Sequence, residues 1–193
     1  MNITQVPNLK PLRSYDEHDV IEFFSHQDAS ANKGSLVSIV TANGNTNVGK
    51  NANVPPTPHV GVQGPMSNVP SRAAAFRYEV KWKVKTATVG DTPLGFLLFD
   101  VRNVNQYGEQ YIFRPHQERI DKNLVVSGEA VPIVTKGLFK INGIVGTPGP
   151  NSGAIPASGG YVQVVANVTG ANNVGKFLTT KDADGYALFK LEL

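Results

Sequence analysis

The sequence contains no cysteine. Disulfide staples, thiolate metal sites and cysteine nucleophiles are therefore excluded. It is also short of charge: Asp, Glu, Lys and Arg make up 17% of the chain, against about 25% in an average soluble domain. The net charge is only +3, and a nucleic-acid surface needs a clustered basic patch rather than a small surplus. No apolar run approaches the roughly 20 residues of a membrane helix, so no membrane partner is expected. Met1–Leu12 holds Pro7 and Pro11 and lacks the apolar centre of a signal peptide, so export is not expected either. What the 193 residues do hold is 40% hydrophobic content, 19 Gly and 13 Pro. That suits one large or two small domains with a real core, many turns and few long helices.

The clearest pattern is Phe76–Thr88. Phe76, Tyr78, Val80, Trp82 and Val84 alternate with Arg77, Glu79, Lys81, Lys83 and Lys85. Alternate residues of a strand point to opposite faces. The expectation is a strand with an aromatic, apolar core face and a charged face toward solvent or a partner. Leu94–Val104 is nearly all apolar, the pattern of a central strand buried on both faces. Further strands are expected at Ser35–Thr41, Gln110–Arg114, Asn123–Ser127, Ala130–Thr135, Gly137–Asn142, Tyr161–Val168 and Tyr186–Leu193. The last has Ala187, Phe189, Leu191 and Leu193 on one face. Ser14-Tyr15-Asp16-Glu17 has the spacing of a capping box, which predicts a short helix over Tyr15–Ser25.

Two stretches are nearly free of charge. Ala42–Ser71 has one charged residue, Lys50, with five Pro, four Gly and six Asn. Loops beyond about 12–15 residues are uncommon within compact domains unless functional or disordered. This one reads as an extended arm or large loop lying on another surface; the alternative is a loop folded back on its own barrel. Ile141–Gly175 has no charged residue across 35 positions. The fold class expected is mainly β: a small β-barrel or β-sandwich with an N-terminal extended arm, one short helix and long Gly/Pro/Asn-rich loops. Residues 1–34 form the arm and helix, and residues 35–193 a single β domain with the long loop at 42–71.

No chemical motif survives inspection. Gly44–Lys50 has the spacing of a phosphate loop, but Asn51 replaces the magnesium-binding hydroxyl, and Pro55, Pro56 and Pro58 prevent the helix such a loop must open. The spacing recurs at Gly170–Lys176, which suggests a shared Asn/Gly turn. Asp182-Ala183-Asp184-Gly185 resembles the start of a calcium loop, yet its twelfth position is Leu193 rather than Glu, and Asp-Gly between strands is a hairpin signal. His18, His26, His59 and His116 show no metal-ligand spacing. The cluster at His116, Glu118, Arg119 and Asp121 lacks a nearby nucleophile and reads as a solvated loop. Catalytic, cofactor-binding and metal-binding residues are thus expected to be absent; an enzyme using Asp100, Glu118 or Asp121 is the minor alternative. Arg72, Arg77, Lys81, Lys83 and Lys85 form a basic stripe interrupted by Glu79, which favours a solvated or partner-facing strand over a nucleic-acid surface.

Three segments together resemble a known family. Leu9–Ile21 (LKPLRSYDEHDVI) leads to Lys33–Val37, Gly128–Phe139 is GEAVPIVTKGLF, and Val174–Leu178 (VGKFL) precedes Asp184–Leu191 (DGYALFKL). These are similar to small tailed-phage virion proteins of the capsid decoration, or cement, type, in which such patterns mark the turns of a small β domain. The resemblance covers about half of the chain, and Ala42–Ser71 has no counterpart in it. It implies a non-enzymatic protein on the outside of a phage head, made in the host cytoplasm, which bridges subunits of the major capsid protein. Neighbouring copies of itself would be partners too, with a trimer at local threefold sites a common arrangement. Repeated contacts across a lattice give avidity without strong single sites. The contact candidates are Leu9, Leu12, Arg13 and Tyr15 in the N-terminal segment, Val54 and Val60 in the arm, and Arg77, Lys81 and Lys83 in the stripe. The alternative is a head-fibre or tail-associated module recognising host glycans, for which Tyr107 and Tyr111 are the candidate aromatic contacts.

Overall fold

The computed structural model describes residues 6–12, 16–40, 82–111, 119, 121–166 and 172–193. The fold is mainly β, with a sheet curled into a half-barrel. Strands β1 (Leu9–Pro11), β11 (Lys136–Ile141), β12 (Ile144–Val145), β13 (Gly153–Pro156), β14 (Val162–Val165), β15 (Gly175–Phe177) and β16 (Ala187–Glu192) form a seven-stranded sheet in the order β1-β11-β16-β15-β13-β14-β12. Strands β2 (Val20–Ile21), β3 (Ser25–His26), β5 (Leu36–Ile39), β6 (Lys83–Thr86), β7 (Pro93–Leu97) and β10 (Ile133–Val134) form a six-stranded sheet in the order β2-β10-β7-β5-β6-β3. Strands β4 (Ser30–Ala31), β8 (Asp100–Arg102) and β9 (Leu124–Val125) form a third, small sheet.

The six-stranded sheet lies between two apolar cores, and adjacent residues of its strands feed opposite ones. Leu36, Phe96 and Val134 join Leu9, Phe139, Ile141, Phe177, Phe189 and Leu191 of the seven-stranded sheet. Val37, Leu97 and Ile133 join Val84, Ala31 and Val101 on the other side. The period of two places each neighbour on the opposite face. Phe189 sits at the centre of the larger core, edge-on to Phe96 at 6.0 Å and to Phe177 at 5.0 Å. Edge-to-face pairs of this kind add about 0.5–1.5 kcal/mol beyond area burial.

Several expectations are corrected here. The apolar run Leu94–Val104 is two strands rather than one: β7 is central and buried on both faces, then the chain bends at Leu98–Phe99 and β8 enters the third sheet. The helix expected over Tyr15–Ser25 is a single 3-10 turn, Glu17–Asp19, followed directly by β2 and β3. Asp16 starts the turn by accepting from the His18 amide at 3.1 Å. The capping-box serine, Ser14, lies outside the described residues; Val20 and Ile21 pair with Val134 and Ile133 of β10, and that pairing follows the single turn directly.

The segment before Ser35, expected as an arm, is woven into all three sheets: β1 joins the first, β2 and β3 the second, β4 the third. Lys136, left between the two strands expected at Ala130–Thr135 and Gly137–Asn142, is the first residue of β11. The change of sheet falls at Thr135, whose amide and hydroxyl both donate to the Asp19 carbonyl, at 2.8 and 3.0 Å. In the register of the seven-stranded sheet Leu191 stands between Gly137 and Gly175. A Cβ on Gly175 would lie 2.1 Å from the Lys190 carbonyl oxygen, and φ there is +149°. Only glycine fits this position without moving the backbone.

Candidate functional site

The stripe expected on Phe76–Lys85 is described from Trp82 onward; Arg72, Phe76, Arg77, Tyr78, Glu79, Val80 and Lys81 lie outside the described residues. Strand β6 runs antiparallel to β5 and parallel to β3. Val84 is buried, as the alternation requires, but Trp82, expected in the core, is 65% exposed. It sits one residue before the strand, and its carbonyl accepts from the Ser25 amide at 2.9 Å. Phe23, also exposed, precedes β3 beside it.

The charged side of β6 is occupied from within the chain. Lys85 Nζ donates to Asp91 Oδ1 at 3.0 Å. Asp91 also accepts from the Thr88 amide at 2.8 Å, the Thr88 hydroxyl at 2.9 Å and the Ser38 hydroxyl at 3.3 Å. Burial pushes the Asp91 carboxyl up, but the hydrogen bonds from Lys85 and Thr88 outweigh it and hold the group below its ordinary value. Lys83 is half-buried. At the other edge of β6, buried His26 accepts from the Asp28 amide at Nδ1, 3.1 Å, and its Nε2 faces the Thr86 hydroxyl at 3.4 Å. Burial lowers its pKa, against the opposing pull of Asp28.

A second basic surface, not foreseen, lies on the outer face of β1, β11, β16 and β15. Lys10 stands opposite Lys140, and Lys176 opposite Lys190. Leu138 is opposite Lys190, Leu188 opposite Lys140, and Lys136 opposite Glu192. Leu12 continues the register beside Leu138, to whose carbonyl its amide donates at 3.1 Å, and Leu178 pairs likewise with Leu188 at 2.8 Å. Lys10 Nζ lies 4.4 Å above the Tyr186 ring. The carboxylates on this side are Glu192, paired with Lys190, and Asp182, 3.5 Å from Lys140. The hydrogen bond from Lys190 holds Glu192 below its ordinary pKa, and the fields of Lys176 and Lys136 act in the same direction. Asp182 is lowered first by the Tyr186 amide and then by Lys140.

Of the candidate contacts, Leu9 must be withdrawn from any surface. It is fully buried on β1, opposite Ile141. Leu12 is exposed on the lysine face. Arg13, Tyr15, Val54 and Val60 fall outside the described residues, as do His59, His116, Glu118 and the loop 42–71. Of the glycan candidates, Tyr107 is 78% exposed, whereas Tyr111 is 7% exposed and packs with Leu124 and Val126. Tyr107 rides a hairpin tip fixed by Asn105, whose Oδ1 accepts from the Tyr107 and Glu109 amides, both at 2.9 Å.

The polar motifs resolve into turns and braces. Asp182 Oδ1 accepts from the Asp184 and Tyr186 amides at 3.1 and 2.8 Å, as a hairpin aspartate does. The second phosphate-loop spacing ends in strand β15, with Asn173 Oδ1 accepting from the Gly175 amide at 3.1 Å. Arg119 Nη1 reaches both Glu129 oxygens, at 2.7 and 2.8 Å. Asp100 accepts from the Lys33 amide at 2.6 Å. Among the described residues no group of three or more His, Cys, Asp or Glu gathers in a way that could hold a metal ion, and no helix is long and apolar enough to cross a membrane.

The lysine face was missed because its five lysines are spread over four strands, two in β11 and one each in β1, β15 and β16. The available signal was the alternation of Lys136, Leu138 and Lys140, and of Leu188, Lys190 and Glu192, against buried neighbours. Only the register between strands brings them together. No protein-family model matches the chain, and no curated protein matches it.

Proposed function

We propose that this protein is a structural virion component, a decoration protein bound to the outer surface of a phage capsid, where it stabilises the major capsid protein lattice. On this reading it is not an enzyme and takes no cofactor. One observation carries it. Parts of the segments on which the resemblance rests meet in the seven-stranded sheet, where Leu9–Pro11 in β1, Leu138-Phe139 in β11, Ala187–Leu191 in β16 and Gly175–Phe177 in β15 stand side by side, while Val20-Ile21, Leu36-Val37 and Ile133-Val134 of the same segments lie in the six-stranded sheet. The resembling segments thus supply paired strands in both large sheets, which supports reading them as the framework of one β domain. The shared pattern includes the two glycines flanking Leu191, which is a structural reason for keeping it.

The test is composition of the particle. Heads purified from cells producing the chain with the remaining virion genes are expected to carry it at a fixed ratio to the major capsid protein and to lose heat resistance without it. Heads free of the chain, with unchanged heat resistance, would sink the proposal. A second reading, a glycan-binding head-fibre or tail module, is favoured by exposed Tyr107 on a hairpin whose backbone Asn105 braces; a pre-ordered backbone lowers the entropy lost on binding. Binding on a glycan array that disappears in Tyr107→Ala would move the assignment there.

A further inference from the structure

Like charges placed directly opposite on neighbouring strands destabilise a sheet. The seven-stranded sheet does this twice on one face, with Lys10 against Lys140 and Lys176 against Lys190. Lys136 completes a group of five lysines, facing the two carboxylates of Glu192 and Asp182. Three of the five act together on one carboxyl, since Lys190, Lys176 and Lys136 all lower Glu192. The chain as a whole carries only +3, so this surplus is concentrated and not a sample of the average surface.

We infer that the outer face of β1, β11, β16 and β15 docks an acidic protein surface, with Lys10, Lys136, Lys140, Lys176 and Lys190 supplying the charge and Leu138 and Leu188 the apolar centre. Charge complementarity chooses an anionic occupant. The pattern between the charges then chooses protein. Leucines separate the lysines: Leu138 and Leu188 inside the face, Leu12 and Leu178 exposed at its borders. Surfaces that bind single-stranded nucleic acid alternate charge with stacking rings, and the one ring among the described residues of the face, Tyr186, is covered by Lys10. The described residues of the face include no arginine, the side chain best shaped for bidentate phosphate contacts. An array of ammonium groups around leucines matches a protein surface with carboxylates around an apolar patch. The inference rests on the sheet and not on the virion reading: an acidic protein of any origin fits.

The experiment uses the full chain with poly-L-glutamate as probe, read by NMR shift changes and by affinity across a salt series. Duplex DNA and phosphatidylglycerol vesicles are the competing arms. The face variant is Lys10→Gln with Lys176→Gln, whose exposed side chains leave the core untouched. The control, Lys33→Gln with Lys122→Gln, removes equal charge elsewhere. Expected is salt-sensitive binding centred on the five lysines, weakened on the order of tenfold in the face variant and little in the control. Equal losses in both variants, shifts centred elsewhere or no binding at all would overturn the inference. Tighter binding to DNA or to vesicles than to poly-L-glutamate would replace the protein partner with that class.

Discussion

Two lysine-bearing surfaces can be set side by side. One lies along β6, where the sequence advertises it with Lys81, Lys83 and Lys85 in strict alternation. The other is assembled from Lys10, Lys136, Lys140, Lys176 and Lys190, spread over 180 positions. On β6, Lys85 is held by Asp91, six residues along the chain, and Asp91 is saturated with donors. On the seven-stranded sheet, lysines face lysines. Closeness in sequence brought a partner with it on β6, whereas register across four strands sets lysine against lysine, with the carboxylates of Glu192 and Asp182 shared among five lysines. A charged stripe seen in one strand is therefore weaker evidence for a binding surface than charge gathered across strands.

The largest effect comes from breaking the scaffold beneath the second surface. Leu9→Ala should cost about 2–5 kcal/mol in urea unfolding, the usual range for a buried leucine. A cost under about 0.5 kcal/mol would mean β1 behaves as a loose arm, and Lys10 would leave the face with it. Next is Asp91→Asn, which unties Lys85 on β6. Removing the acceptor of a charge-assisted bond in this half-buried turn should cost about 1–2 kcal/mol near neutral pH.

The pH dependence has a definite sign. The folded-state pKa of Asp91 is depressed, so its contribution is present above the unfolded value of about 3.9 and fades as the pH falls through the folded value. Wild-type and Asp91→Asn unfolding curves should converge in acid; a gap that stays constant down to acid pH would show that the carboxylate charge is not what matters. The smallest effect is Lys176→Gln. It relieves an opposed lysine pair and should leave stability unchanged or raise it by about 0.2–1 kcal/mol. A clear loss would mean the pair is screened and the two surfaces differ less than their geometry indicates.

The sequence carried a good part of the fold. Period-two alternation placed Ala187, Phe189 and Leu191 inward and Lys190 and Glu192 outward, as observed, but Leu193, expected on the inward face, lies past the strand end and is exposed. The apolar run at Pro93–Leu97 is a central strand buried on both faces. Errors arose where distant partners decide. Trp82 obeys the alternation on paper, but the strand starts at Lys83, because pairing with β5 and β3 begins there. Val20 and Ile21 had a helix start behind them and were claimed by β10. Leu9 looked like part of an arm because its partner, Ile141, is 132 positions away. The candidate surface was the least legible part, since opposition of Lys10 to Lys140 exists only in the register.

The position of β16 has a consequence for how the molecule is made. Ala187–Glu192 inserts between β11 and β15, both synthesised earlier, and supplies the ladder for each. Until it emerges from the ribosome, those two strands present open edges lined by Phe139, Ile141 and Phe177, and open apolar edges pair with other chains. Closure of this sheet must therefore wait for synthesis of β16, and the long loops it closes make that step slow. The nascent chain passes through an aggregation-exposed interval whose length is set by the time taken to reach Glu192.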